Sequence, residues 1–191
     1  MTQLSIYSDV HPDVNLADTS NRDEITALLG AVGVRYELWS ADVELQRDAG
    51  DEKILSAYGR EIKRLSDEAG YNSIDVFRIA PDNPNRVAFR QKFLAEHTHD
   101  EDEVRFFVEG SAAFYLHIGD KVYRVVCTRG DLLSVPAGTP HWFDMGSEPS
   151  FTAIRLFVSP EGWVAKFTGS AIAETLPLFE SGAASPAVAQ A

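Results

Sequence analysis

The sequence predicts a mainly β protein of α+β type: a barrel or jelly roll with several α-helices packed around it. Three observations point there. From about Arg90 to Val158 the chain runs as short apolar segments separated by tight Gly and Pro turns, the spacing of an all-β barrel. Thirteen Gly, nine Pro and 10% aromatic residues suit such a turn-rich chain. Elsewhere, Asp51–Ala69 repeats its apolar residues at helical spacing, so helices are expected beside the barrel.

Taken in order, Leu4–Tyr7 is a short strand. Asn21–Gly30 is a helix with Asn21 as cap and Glu24 as its capping-box partner. Tyr36–Trp39 alternates like a strand. Asp51–Ala69 places Ile54, Leu55, Tyr58, Ile62, Leu65 and Ala69 on one face, opens with acidic residues and stops at Gly70. That stripe is expected to pack on a sheet. Ser73–Ile79 is a strand, ended by Pro81-Asp-Asn-Pro84. Further strands are expected near Lys92–His97, Glu103–Glu109, Ala112–Ile118, Val122–Cys127, Leu132–Val135, His141–Met145 and Thr152–Val158. The 191 residues make one domain over 1–180, with the barrel at about 73–169, the helical N-terminal part outside it, and a disordered tail over 181–191.

Seventeen Lys and Arg against 29 Asp and Glu give a net charge of −12. A chain so acidic repels phosphate backbones, which argues against nucleic acid as a partner. Cys127 is the only cysteine, so no intrachain disulfide forms; it is expected to be a buried, inert thiol. The chain starts without a basic leader region, and no apolar run approaches the ~18 residues that span a bilayer. A cytoplasmic protein without membrane contact is the expectation. Nothing obliges a dimer, so a monomer is expected.

The chemistry concentrates in two motifs. His97 and His99 lie two apart in Glu96-His-Thr-His-Asp-Glu-Asp-Glu103, and in extended chain both rings face the same way. Glu103 follows an acidic turn that can fold its carboxylate back toward them. His141 is delivered by the stiff turn Pro136-Ala-Gly-Thr-Pro140. Three imidazoles and one carboxylate, with no thiolate, suit a divalent transition metal such as iron, nickel, cobalt or manganese better than structural zinc. His11 is expected to stay outside this set, and His117 to be a hydrogen-bonded barrel histidine. Asp100, Glu101 and Asp102 have a simple reading as a solvated loop. Glu96 points opposite to His97 and either supports a ligand from behind or meets water.

Strand parity places Arg105 on the face of Glu103 and Phe107. A buried guanidinium needs an anionic partner: either a structural ion pair or an anionic substrate. Arg155 alternates with Phe151, Ala153 and Phe157 and serves either as an exposed residue or as a substrate contact. Phe143 shares parity with His141 and lines either the core or a substrate tail.

Residues 96–110 (EHTHDEDEVRFFVEG), 135–144 (VPAGTPHWFD), 154–157 (IRLF) and 160–164 (PEGWV) resemble the acireductone dioxygenases of methionine salvage, within the cupin superfamily. The resemblance runs from about Ile74 to Gly169 and implies a cupin-type jelly-roll barrel. It implies His97, His99, Glu103 and His141 as ligands of one Fe2+ or Ni2+ per chain, Arg105 as the group favouring a substrate dianion, and Glu96 and Asp102 as auxiliary residues. Arg105, Arg155 and Phe143 are the candidate substrate contacts. The implied substrates are O2 and 1,2-dihydroxy-5-(methylthio)pent-1-en-3-one. Iron would give formate and 4-methylthio-2-oxobutanoate; nickel would give formate, carbon monoxide and 3-methylthiopropanoate. The competing readings are another cupin oxygenase or isomerase, whose cavity would be polar throughout, and a non-catalytic metal-binding cupin, which would not consume oxygen.

Overall fold

The computed structural model describes residues 1–41, 43 and 49–180. The elements run β1 (Gln3–Ser8), β2 (Asn15–Thr19), α1 (Arg22–Gly30), β3 (Arg35–Leu38), α2 (Asp51–Ala57), α3 (Gly59–Ala69), β4 (Ser73–Ile79), α4 (Arg86–Leu94) and β5 (His97–Thr98). They continue as β6 (Glu103–Ile118), β7 (Lys121–Thr128), β8 (Asp131–Val135), β9 (His141–Asp144), β10 (Phe151–Phe157) and β11 (Lys166–Phe167). Every strand pairing among them is antiparallel.

Strand β6 organises the barrel. Its first half pairs with β8 and β10, and its second half with β7 and β9. One side therefore runs β4-β10-β6-β8-β3, and the other β11-β5-β9-β6-β7-β1-β2. The turn between them falls at Gly110, whose φ is +76°. A Cβ there would lie 1.9 Å from the Ser150 carbonyl oxygen, so only glycine fits. The sequence suggests two strands here; the structure has one bent strand.

Parity then sorts the side chains. Phe107 joins Phe114, Phe143, Phe151 and Ala153 in the barrel interior. Val104, Phe106 and Val108 face outward, where Ile54, Tyr58, Ile62 and Leu65 cover them. The helical stripe thus packs on the sheet as expected, except that Ala69 is exposed. The expected single helix is two. Tyr58 leaves helical geometry (φ −109°, ψ 16°) just before Gly59, a poor helix former, and its ring meets Phe106 edge-on at 4.8 Å.

Two other expectations change. The N-terminal part is not only an outer layer: β1 pairs with β7 and β3 with β8, so the sheet starts well before residue 73. Half of the strand expected over Lys92–His97 is helix. Arg86–Leu94 forms α4, with Phe89 and Phe93 four apart and both packed edge-on against Phe77. The alternation of its last residues imitates a strand because Ala95 returns to extended geometry (ψ 131°) before His97. Asn21 caps α1 as expected, accepting from the amides of Asp23 and Glu24; Glu24 itself bonds Thr19 rather than closing a capping box. The expected tail over 181–191 lies outside the described residues.

Candidate metal centre

The three histidines reach the barrel interior from two pieces of backbone. His97 sits on β5 directly opposite His141 on β9. His99 follows β5, and its carbonyl accepts from the amide of Gly138 at 2.9 Å, joining the two motifs. Gly138, with φ +74°, lets the Pro136–Pro140 turn close and present His141 at the start of β9. The three rings are 1–6% exposed, and their candidate ligand atoms all lie within 4.8 Å of one another. Glu103, 4% exposed, brings Oε2 to 3.1 Å from His141 Nε2 and 3.3 Å from His99 Nε2.

The outer nitrogens fix the tautomers. His97 Nδ1 donates to the Ala95 carbonyl at 2.7 Å, His99 Nδ1 to that of Val164 at 3.0 Å, and His141 Nδ1 to that of Thr139 at 2.8 Å. A carbonyl only accepts, so the proton of each neutral ring stays on Nδ1 and each Nε2 presents a lone pair inward. Lone pairs facing a carboxylate repel unless a proton or a cation lies among them. A divalent metal ion meets that demand with donors of the right kind, and the carbonyls behind the rings orient them.

The electrostatics agree. Burial, reinforced by His141, pushes the His97 pKa down to about 4, so that ring is neutral near pH 7. Burial opposes the charge on Glu103, but Arg105 and the histidines outweigh it and hold the carboxyl well below its usual range. For His99, burial is outweighed by Glu103 and the pKa rises.

Arg105 is 5% exposed and pairs with Glu103 Oε1. Its guanidinium lies 4.3 Å from the Phe143 ring centroid and 5.0 Å from that of Phe114. Among the described residues its Nε is buried without a hydrogen-bond partner. Burial lowers its pKa and Glu103 opposes that, leaving a net lowering from a value so high that the group stays charged.

These groups open on a cavity of about 380 Å3. Its floor includes His97, His99, Glu103 and Arg105, and its walls are mainly phenylalanine: Phe77, Phe89, Phe93, Phe143, Phe157 and Phe167. Arg155 borders it too, opposite Arg105 in register, and is tied to Asp75 by bonds of 2.8 and 2.6 Å. So Arg155 is not an outward-facing residue but a paired one at the cavity wall.

Two expected site residues bond elsewhere. Glu96, 4% exposed, accepts from Thr168 Oγ1 at 2.6 Å and contacts His117 Nδ1 at 2.9 Å. Asp102 accepts from the Ala137 amide at 2.8 Å and so fastens the turn before His141. The loop Asp100–Asp102 is more than a solvated one. Glu101 accepts from the amides of Val158 and Ser159 at 2.9 Å, and Asp100 pairs with Lys166. His11 takes no part, and His117 is hydrogen-bonded as expected. Cys127 is fully buried, and burial pushes its thiol pKa up. Sequence reasoning missed Lys92 and Trp163, which complete the cavity rim. The helical spacing of Phe89 and Phe93 was the available signal for α4. No described helix is long and apolar enough to cross a membrane.

Known proteins give the same picture. The model of the ARD/ARD' family matches residues 3–165. An acireductone dioxygenase of Parvibaculum lavamentivorans is 59% identical over 181 residues, covering 95% of this chain and 98% of its own. That of a Synechococcus strain is 56% identical, covering 93% and 99%, and that of Yersinia pestis 55%, covering 93% and 98%. Among solved structures, the Bacillus anthracis acireductone dioxygenase, with a cadmium ion in its active centre, superposes with a TM-score of 0.76 at 31% identity, over 87% of this chain and 98% of its own. The chain belongs to the ARD/ARD' family, that of the acireductone dioxygenases.

Proposed function

We propose that this chain cleaves 1,2-dihydroxy-5-(methylthio)pent-1-en-3-one with O2, using one Fe2+ or Ni2+ held by His97, His99, Glu103 and His141. With iron the products are formate and 4-methylthio-2-oxobutanoate. With nickel they are formate, carbon monoxide and 3-methylthiopropanoate. Both outcomes place the two atoms of O2 in the products and release two protons. The observation that carries the reading is the convergence of three inward lone pairs and one carboxylate beside a buried guanidinium. The cadmium in the Bacillus anthracis relative supports a metal at the corresponding place.

The bound ion would supply Lewis acidity and a template for two neighbouring substrate oxygens. The side chains do the rest. Three neutral imidazoles and one carboxylate leave a divalent ion with a net +1, and a doubly deprotonated enediolate brings the set to −1. Arg105 offsets that charge at low dielectric and so favours the dianion over its protonated forms. Its free Nε can donate to a substrate oxygen, and the Phe143 and Phe114 rings keep the guanidinium from turning away. The phenylalanine walls take the methylthio tail and exclude water. Asp102 holds the turn that delivers His141, and Glu96 holds the backbone behind His97 through Thr168; both act by position. The protein is a cytoplasmic monomer in this reading.

Anaerobic reconstitution with iron or nickel separately, then acireductone and oxygen, tests it. Carbon monoxide from the nickel form and the keto acid from the iron form are expected. Metal binding without oxygen uptake by either form would overturn it.

A further inference from the structure

The cavity's charged side chains nearly cancel. Glu103 pairs with Arg105, and Asp75 with Arg155. Lys92 is the remainder: it lines the same cavity and, among the described residues, makes no salt bridge. It is exposed and sits in the last turn of α4, with its ammonium 5.7 Å from the ring centroid of Trp163. Trp163 is 53% exposed, so the pair stands at the cavity mouth rather than in its depth.

That position matters because the whole chain carries −12. An anionic molecule approaches against this field, and an unpaired cation at the entrance changes the local sign. A cation in the last turn also complements the helix dipole, a role that needs no substrate. The dipole role would show in stability and has no reason to follow the substrate's charge.

We propose that Lys92 is a substrate-recognition residue that draws the anionic enediolate through the cavity mouth. Trp163 holds its ammonium over the opening by a cation–π contact. The inference rests on the anionic substrate proposed above.

Stopped-flow binding under argon separates the possibilities, with metal-loaded protein, acireductone as ligand and tryptophan fluorescence as signal. Lys92→Gln should lower the association rate constant about threefold to tenfold at low salt, Lys92→Glu should lower it further, and Lys92→Arg should restore it. The differences should close above about 0.3 M salt, where charges several ångströms apart are screened. Metal content and melting temperature, measured in parallel, report folding and the dipole role. Equal association rates for parent, Gln and Glu variants at low salt would overturn the proposal, as would a deficit that persists at high salt. A parent rate that ignores salt altogether would sink the anionic-substrate reading itself. A parent rate that falls with salt, unchanged by substitution at Lys92, would leave that reading standing and remove only Lys92.

Discussion

Replacing Arg105 with Met removes one charge and little volume, and its cost can be worked from the contacts. The guanidinium is 5% exposed, pairs with Glu103 and lies against the adjoining Phe143 and Phe114 rings. Breaking a buried pair by removing one partner costs about 3–5 kcal/mol. Part of that penalty disappears in the loaded protein, where the ion still compensates Glu103. What remains falls on the incoming dianion, which loses the charge that balances it. If about 3 kcal/mol reaches the transition state, kcat/KM drops roughly a hundredfold, since each 1.4 kcal/mol is a factor of ten. Arg105→Lys keeps the charge but loses the planar fork and much of the contact with the two rings, so it should fall between parent and Met. The assay is oxygen uptake with metal-loaded protein, metal content being measured on the same samples. Arg105→Met holding one equivalent of metal with kcat/KM within about threefold of the parent would refute the charge-balance reasoning.

Other substitutions test other parts of the design. His97→Ala should leave less than one equivalent of metal after dialysis; full occupancy by elemental analysis would remove it from the ligand set. Asp102→Ala frees the Ala137 amide and should weaken metal affinity about tenfold to a hundredfold in a chelator competition, whereas unchanged affinity would mean the Pro136–Pro140 turn holds His141 unaided. Gly110→Ala must displace the Ser150 carbonyl and adopt a positive φ, so a loss of at least ~3 kcal/mol is expected, read as a fallen melting temperature or insoluble protein. Glu37 is half-buried; burial opposes its charge, but bonds from Trp39, Arg35 and Arg64 lower its pKa. Because the folded value lies below the unfolded one, its contribution is present above the ordinary carboxylate range and fades as pH falls through the depressed value. Glu37→Gln should therefore cost about 1 kcal/mol near pH 7, with parent and variant converging in acid; a gap independent of pH would show that packing is responsible.

Much of this was legible in the chain because short-range rules governed it. The period-2 alternation of Glu103–Val108 told inside from outside, and the barrel interior and the covering helices divide those residues as parity requires. His97 and His99 are two apart on extended chain, so their convergence was local geometry. What stayed hidden depended on distant partners. The break at Tyr58 answers to Phe106, nearly fifty positions away, and periodicity cannot sense it. The helix at Arg86–Leu94 was masked because its last turn runs straight into the strand that carries His97, and alternation across that junction mimics β structure. The acidic triplet read as solvated because acidic loops usually are; its partners Ala137, Val158, Ser159 and Lys166 come from three later segments. Lys92 escaped notice for the same reason, since only folding sets α4 beside Trp163.

Two of the inward-facing rings take their orientation from a carbonyl two residues upstream, His97 from Ala95 and His141 from Thr139. His99 instead leans on Val164, part of the stretch that carries Trp163. Variation has an uneven reach as a result. Changes between Ser159 and Ala165 can therefore alter how firmly the third ring is aimed through its one carbonyl partner there, while the bonds that aim the other two stay in place.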